Sequence, residues 1–232
     1  MGVSPPDEVA RDSIGWDVSN WSTCFTYWSE HTRLCLPGAR ALEIGAQRGG
    51  GLSLWMATQG MDVTCSGIKM HTEEMAAVHA RHGVSDRVTF ESIDALDIPY
   101  RDEFDVVAFK SVLGNIGQRD RVDLQRKAVA QMHGALRPGG ELWFAENLAA
   151  TRLHAALRTR FGAGIRDWRY VKLAELDGLF CEFIQFHYTT VGFLAPLGHR
   201  EWQRRLLGTV DRAVMTLVPP ACRYIALGIA TK

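Results

Sequence analysis

One segment constrains this chain more than any other: Ala41-Leu42-Glu43-Ile44-Gly45-Ala46-Gln47-Arg48-Gly49-Gly50-Gly51. An apolar run of single-strand length passes into a glycine-rich bend and then into a stretch of helical character. Glycine reaches left-handed backbone conformations and lets a ligand approach the main chain. The helix beyond it begins with unpaired N–H groups. Such a bend belongs to a β-α-β unit, so a parallel sheet with ligands at the carboxyl ends of its strands is expected.

The flanking sequence repeats the pattern. Strand-like runs at 39–44, 61–66, 88–92, 104–109 and 141–146 alternate with helical stretches at 51–59, 72–81 and 118–136. Thr72 before Glu73-Glu74 is a helix start with its acids at the favoured end of the dipole. Pro138-Gly139-Gly140 is a tight turn into the fifth strand. Later helices are expected at 147–161, 174–180 and 199–217, and strand-like runs at 181–193 and 224–230 would close the sheet as an antiparallel pair. The expected fold is α/β: a doubly wound, mostly parallel seven-stranded sheet with helices on both faces and the last strand antiparallel. Residues 1–14, with Pro5-Pro6, read as a loose arm. A helix follows from Ser19-Asn20, with Trp21, Phe25 and Trp28 on one face, which either packs on the core or covers a ligand. No repeat divides the chain, so 1–232 is one domain. Its parts are an N-terminal arm and helical cap (1–36), a cofactor-binding half (37–146) and a substrate-facing half (147–232).

Composition narrows the function. With 232 residues, 47% of them apolar, the chain can bury a full core. The 26 basic and 26 acidic residues balance, which argues against nucleic acid and anionic membranes as partners. Arg200, Arg204 and Arg212 read as the solvated face of a helix. There is no apolar run of membrane-spanning length and no apolar leader in the first 12 residues. The five cysteines form no C-x-x-C pair and read as buried, reduced thiols of a cytoplasmic protein. His79 and His82 share a helix face without further ligands nearby, so no metal site is expected. A small-molecule acceptor and a monomer or homodimer fit this balance.

The bend itself separates two ligand classes. A dinucleotide turn needs G-x-G-x-x-G, and position 47 is Gln. Glu43, two residues before the first glycine, would oppose a pyrophosphate and attract an amino group. Glu43-x-Gly45-x-x-x-Gly49 resembles the first motif of the class I S-adenosylmethionine-dependent methyltransferases. Further likenesses follow in order: Ser85-Asp86-Arg87-Val88-Thr89-Phe90, Ile93-Asp94-Ala95, Phe104-Asp105-Val106-Val107 with Ser111-Val112-Leu113, and Leu136-Arg137-Pro138-Gly139-Gly140. The resemblance covers residues 39–146, and Phe109-Lys110-Ser111-Val112-Leu113-Gly114 resembles a bacterial subgroup acting on sugars or secondary metabolites.

The resemblance implies an S-adenosylmethionine site. Glu43 and the backbone from Gly45 to Gly49 would hold the methionine part, Glu43 through the amino group or a water, with the Gln47 amide reaching the carboxylate. Asp94 would accept from the adenine amine, with the Ala95 N–H near the ring. Ile68, Lys110 and Ser111 would border the cofactor. The family usually carries a ribose-gripping acid at the end of its second strand, and here that place holds Gly67. A lost carboxylate removes charge-assisted hydrogen bonds of roughly 1.5–3 kcal/mol each.

The expected reaction is in-line methyl transfer to an O or N atom of a small molecule in bacterial biosynthesis, leaving S-adenosylhomocysteine. A neutral hydroxyl or protonated amine needs a base. Glu146, at the end of strand five, is the first choice, and Lys110 is the second candidate, as base or as an anchor for an anionic group. His154, His187 and the segment Trp168-Arg169-Tyr170, beyond a Gly162–Gly164 hinge, are alternatives read mainly as packing. The competing reading is a methyltransferase-fold protein that binds the cofactor for a non-methylating task such as rearrangement or sensing. A nicotinamide oxidoreductase is disfavoured by Gln47 and by the missing strand-two acid.

Overall fold

The computed structural model describes residues 7–160 and 168–232, and their side chains apart from 157–160. Seven strands form one sheet: β1 (Arg40–Ile44), β2 (Asp62–Ser66), β3 (Val88–Glu91), β4 (Phe104–Lys110), β5 (Leu136–Asn147), β6 (Gln185–Val191) and β7 (Ile225–Thr231). Their order is β3-β2-β1-β4-β5-β7-β6. The first five are parallel, and β7 runs antiparallel between β5 and β6. The expected seven-stranded, mostly parallel α/β fold is the observed one. The order reverses beside β1, which makes the exits of β1 and β4 the switch point.

The helices are α1 (Asp7–Ile14), α2 (Val18–Trp21), α3 (Thr23–His31), α4 (Gly51–Thr58), α5 (Thr72–Arg81), α6 (Leu113–Ile116), α7 (Val122–Ala135), α8 (Arg152–Arg160), α9 (Leu176–Leu179) and α10 (Glu201–Val214). Alternation along β4 divides the core. Val106 and Ala108 join the layer with Trp28, Trp55 and Trp143, and Val107 and Phe109 join the layer with Phe144 and Leu176. Both faces are buried, so the central strands are apolar throughout. Residues 137–140 bulge out of β5, since Phe104 pairs with Leu136 and Val106 already pairs with Glu141.

Three expectations are corrected, and the packing reading of the Trp21, Phe25 and Trp28 stripe holds. Residues from Asp7 onward are not a loose arm: α1 buries Val9, Ala10, Ser13 and Ile14. Asp12 then ties it down, pairing with Arg81 at 3.0 Å and His82 at 2.8 Å. The Trp21, Phe25 and Trp28 stripe is core. Phe25 stacks on Trp55 at 4.7 Å, Trp28 stacks on Trp143 at 5.6 Å, and the Trp28 indole donates to the Gly228 carbonyl at 3.1 Å. His79 does not face solvent: it is buried between Ser53 Oγ, 3.1 Å away, and the Met75 carbonyl, 2.7 Å away. Of the five cysteines only Cys24 and Cys65 are buried, while Cys35 and Cys181 are exposed. The Gly162–Gly164 hinge lies outside the described residues.

Candidate active site

The glycine bend is built from Glu43 upward. Its carboxylate, 4% exposed at the end of β1, accepts the N–H groups of Leu52 and Ser53, both at 2.8 Å. Those are orphan donors of the first turn of α4, so the acid sits where the helix dipole favours it. Burial nonetheless pushes the Glu43 carboxyl upward, against the pull of those amides. Gly51 lies so close that a Cβ there would stand 2.7 Å from a Glu43 oxygen. Gly45, Gly49 and Gly51 all have positive φ, at 85°, 68° and 62°. The bend is anchored elsewhere too: Gly50 N–H donates to the Asp12 carbonyl at 2.7 Å, and Ala46 N–H to the Ser66 carbonyl at 2.9 Å. Two start-of-helix amides therefore face a carboxylate from below, an arrangement that disfavours a pyrophosphate.

Gly67 receives a physical explanation from the same bend. A Cβ at position 67 would run into the Ala46 carbonyl oxygen. The backbone of the bend fills the place from which a strand-two acid would project. Ile68 beside it is 65% exposed at the rim. At the end of the β3 segment, Asp94 is exposed and turns one oxygen to the Leu96 N–H at 2.9 Å, forming an Asx turn, and Ala95 is buried. Gln47 gives its backbone carbonyl to the His71 N–H at 2.9 Å, which ties the bend to the start of α5.

Across the switch point, a second acid repeats the device of Glu43. Glu146, fully buried at the end of β5, accepts Val112 N–H at 2.9 Å, Leu113 N–H at 2.7 Å and Asn147 N–H at 2.8 Å. It thereby holds the turn that leaves β4. Burial pushes its carboxyl up to about 7, against three amides. Both oxygens are engaged with backbone, which corrects the picture of Glu146 as an acid aimed at a substrate. The turn it holds is strained: Ser111 has φ 58°, a left-handed conformation costly for a residue with a Cβ. Asn147 Nδ2 donates to the Ser111 hydroxyl.

Lys110 lies at the centre. The residue is half-buried, and its ammonium stands 5.0 Å from the ring centroid of Trp21, which is 2% exposed. Burial lowers its pKa, while Cys24, Glu43, Glu146 and Asp17 work the other way. It is no surface cation. Three carboxyl groups thus act on one ammonium. The indole N–H groups of Trp21 and Trp168 are buried without a hydrogen-bond partner among the described residues. Trp168 packs edge-on against Gly114 and walls the same region. Arg169 is held elsewhere, by Asp120 at 2.7 Å and Glu175 at 2.8 Å. His154 is buried and bonded to the Phe193 carbonyl at 2.8 Å, and His187 meets the Tyr27 hydroxyl at 2.9 Å.

Asp17, Cys24 and Trp21 were not among the expected site residues. Asp17 is fully buried with φ 45°, accepts the Tyr224 hydroxyl, and is pushed up to about 7 by burial. The available signal was the Asp17-x-x-Asn20 spacing, which brings the Asn20 amide 3.3 Å from the carboxylate. No group of three or more metal-ligating side chains occurs among the described residues.

Comparison with known proteins agrees with this geometry. Residues 42–144 match the family model described as a methyltransferase domain. No curated protein matches the sequence. Among solved structures, the chain resembles a Haemonchus contortus phosphoethanolamine N-methyltransferase 2 bound to phosphomonomethylethanolamine and S-adenosylhomocysteine, with TM-score 0.61 and 16% identity. That match covers 91% of this chain and 53% of the other, so the chain spans about half the length of that enzyme. It also resembles the Streptomyces coelicolor A3(2) geranyl diphosphate C-methyltransferase in complex with Mg2+, geranyl diphosphate and S-adenosylhomocysteine, with TM-score 0.60, 11% identity and coverage of 88% and 76%. A third likeness is the [4+2]-cyclase SpnF, with TM-score 0.56, 18% identity and coverage of 89% and 78%. The fold is that of the class I S-adenosylmethionine-dependent methyltransferases.

Proposed function

We propose that this protein transfers a methyl group from S-adenosylmethionine to an oxygen or nitrogen atom of a small molecule. The observation that carries this reading is the clasp of Glu43 on the amides of Leu52 and Ser53, set directly under the positive-φ glycines at the switch point. It makes the bend anionic beneath and open in its backbone, which suits a cationic ligand and disfavours a phosphate. Bound S-adenosylmethionine would supply the methyl group already activated as a sulfonium.

Within this reading, Glu43 positions the bend rather than gripping the cofactor, and the backbone from Gly45 to Gly49 with the Gln47 amide holds the methionine part. The free oxygen of Asp94 and the N–H of Ala95 hold the adenine, with Ile68 covering the rim. Ser111, fixed by Asn147, and Lys110 border the transferred group. Lys110 is the side chain assigned to the acceptor's proton; burial lowers its pKa, while Glu43, Glu146 and Asp17 work the other way. Trp21 and Trp168 exclude water from that place. Glu146 fixes the turn carrying Ser111 and Val112, as a positioning residue.

Titration calorimetry with S-adenosylmethionine and S-adenosylhomocysteine tests the reading. Saturable heat with both is expected, and silence with both overturns it. Gly67, with the Ala46 carbonyl in the place of the missing acid, favours one alternative: a protein of this fold that binds the cofactor without methylating. Likeness to a cyclase of the same fold points the same way. Binding without demethylated product across hydroxyl and amine acceptors would select that alternative.

A further inference from the structure

The outer surface of α10 departs from what its sequence pattern predicts. Trp202, Leu206 and Val210 recur every four residues and thus share one face. That face is not packed on the core: the three are 61%, 61% and 41% exposed. Leu217, beyond the helix, is 82% exposed, and Leu197, before it, is 40% exposed. Scattered exposed leucines need no explanation, whereas an aligned row of them on a helix does.

The charge beside this row is mixed, with arginines in excess. A groove of about 610 Å3 opens between α1, α2, α3 and α10, lined by Arg11, Arg205, Arg212 and Trp202 together with the acids Asp7 and Glu201. Glu201, its side chain 43% exposed, accepts the N–H groups of Asp17 at 3.1 Å and Val18 at 2.9 Å and pairs with Arg204 at 3.4 Å. Asp211, the other acid of α10, is fully buried and accepts the N–H groups of Phe193 at 3.0 Å and Leu194 at 2.8 Å. Arg205 and Arg212 are exposed, and among the described residues Arg212 reaches the hydroxyls of Ser19 and Thr209, at 2.7 and 3.2 Å. The helix thus buries Asp211, ties Glu201 to backbone amides and Arg204, and leaves Arg205 and Arg212 exposed next to an apolar row that contains a tryptophan.

We propose that α10 docks this protein on an anionic phospholipid surface. Trp202, Leu206 and Val210 enter the boundary between headgroups and acyl chains, and Arg205 and Arg11, with Arg212 behind them, receive lipid phosphates in the groove. Charge complementarity selects this occupant, because the exposed Arg11, Arg205 and Arg212 outnumber the acids of the groove, of which Glu201 is already bonded to backbone amides and to Arg204. The balanced total charge conceals the feature because the compensating acids are elsewhere or already bonded. The position of α10 adds a consequence. It lies on α2, whose Trp21 covers Lys110, so docking would place the outermost layer of the candidate site at the lipid surface.

The test uses the full chain and sedimentation with vesicles of phosphatidylcholine alone or mixed with phosphatidylglycerol. Binding to the mixed vesicles, weakened by salt and absent with the neutral ones, is expected. Arg205→Glu should weaken it on the order of tenfold. Trp202→Ser combined with Leu206→Ser should abolish it. Both variants change exposed residues, and circular dichroism verifies their folding. No binding to mixed vesicles, or equal binding by the double variant, overturns the proposal. So does a stable dimer in sedimentation velocity that the double variant dissolves, since the row would then be covered by a second copy. The lipid test is independent of methyl transfer and stands whether or not calorimetry detects the cofactor.

Discussion

Glu43 and Glu146 are the same device at two strand ends, and their difference shows how the site is divided. Each is a buried carboxylate accepting backbone amides at the start of a helix. Glu43 stays inside its own β-α unit: the helix it holds follows the strand it ends. Glu146 reaches sideways, from β5 to the turn leaving β4. The first clasp sits under glycines, where positive φ costs little. The second sits under Ser111, where it is strained. A local clasp fixes a bend that receives a ligand, whereas a cross-strand clasp fixes the mutual position of two strand ends, the task required to align an acceptor.

The largest effect is expected from breaking the local clasp. Glu43→Ala leaves the Leu52 and Ser53 amides buried without acceptors, at about 1–3 kcal/mol each. A loss of about 4 kcal/mol would lower the melting temperature by about 8–16 °C in a chain of this size. Glu43→Gln keeps one acceptor and should lose about half as much. A small shift for Glu43→Ala in a thermal melt would mean that the bend does not depend on the acid.

Burial pushes both clasp carboxyls up, and at the cross-strand clasp the pH dependence can be followed. A carboxyl whose folded pKa stands above its unfolded value stabilises fully below the unfolded value, and that contribution disappears as pH rises through the folded one. Glu146 and Asp17 are both pushed up to about 7. Asp17 is pushed up by burial and by the nearby carboxylates of Glu201 and Asp211. The fold should therefore lose stability from roughly pH 4 to pH 7, by up to about 3 kcal/mol for Glu146 and about 4 kcal/mol for Asp17. Glu146→Gln should flatten its share of that slope in urea titrations across pH. An unchanged slope in the double variant Glu146→Gln/Asp17→Asn would remove both groups from the account.

These two clasps also show what the sequence makes legible. Residues 39–146 could be read because central strands buried on both faces must be apolar and a positive-φ bend must be glycine. Both requirements leave a trace in residue type. The partners of Glu146 leave none, because any backbone amide can donate and those of Val112 and Leu113 lie far away in sequence. The burial of Lys110 is invisible for the same reason, since Trp21, which covers it, comes from a helix before the first strand. For α1 the signal was present: Val9, Ala10, Ser13 and Ile14 have helical spacing, masked by the adjoining Pro5-Pro6. On α10 the exposure of Trp202, Leu206 and Val210 is visible only in the structure, because apolar spacing alone does not tell a buried face from an open one.

Position 67 gives a third, smaller test, at the first clasp. Gly67→Asp supplies the acid that the resemblance to the methyltransferases leads one to expect there, but its Cβ must displace the Ala46 carbonyl. Overpacking against backbone costs roughly 1–3 kcal/mol. The variant should melt lower and, if the bend yields, bind S-adenosylmethionine more tightly than the parent in calorimetry. A variant that melts as the parent does would show that the bend already moves freely, and Gly67 would then need another explanation.

The smallest effect is expected at Ser111, where strain and hydrogen bonding oppose each other. Ser111→Gly relieves a left-handed conformation worth roughly 1–2 kcal/mol. It gives up the hydrogen bond from Asn147, about 0.5–1.5 kcal/mol, and adds freedom to the unfolded chain. The net change should stay within about 1 kcal/mol. Ser111→Ala loses the hydroxyl without relieving the backbone and should fall by about 1 kcal/mol. The gap between the two variants in chemical denaturation thus measures the strain held by the cross-strand clasp. If glycine and alanine fall equally, the backbone at 111 is not strained against Glu146, and the two clasps differ only in reach.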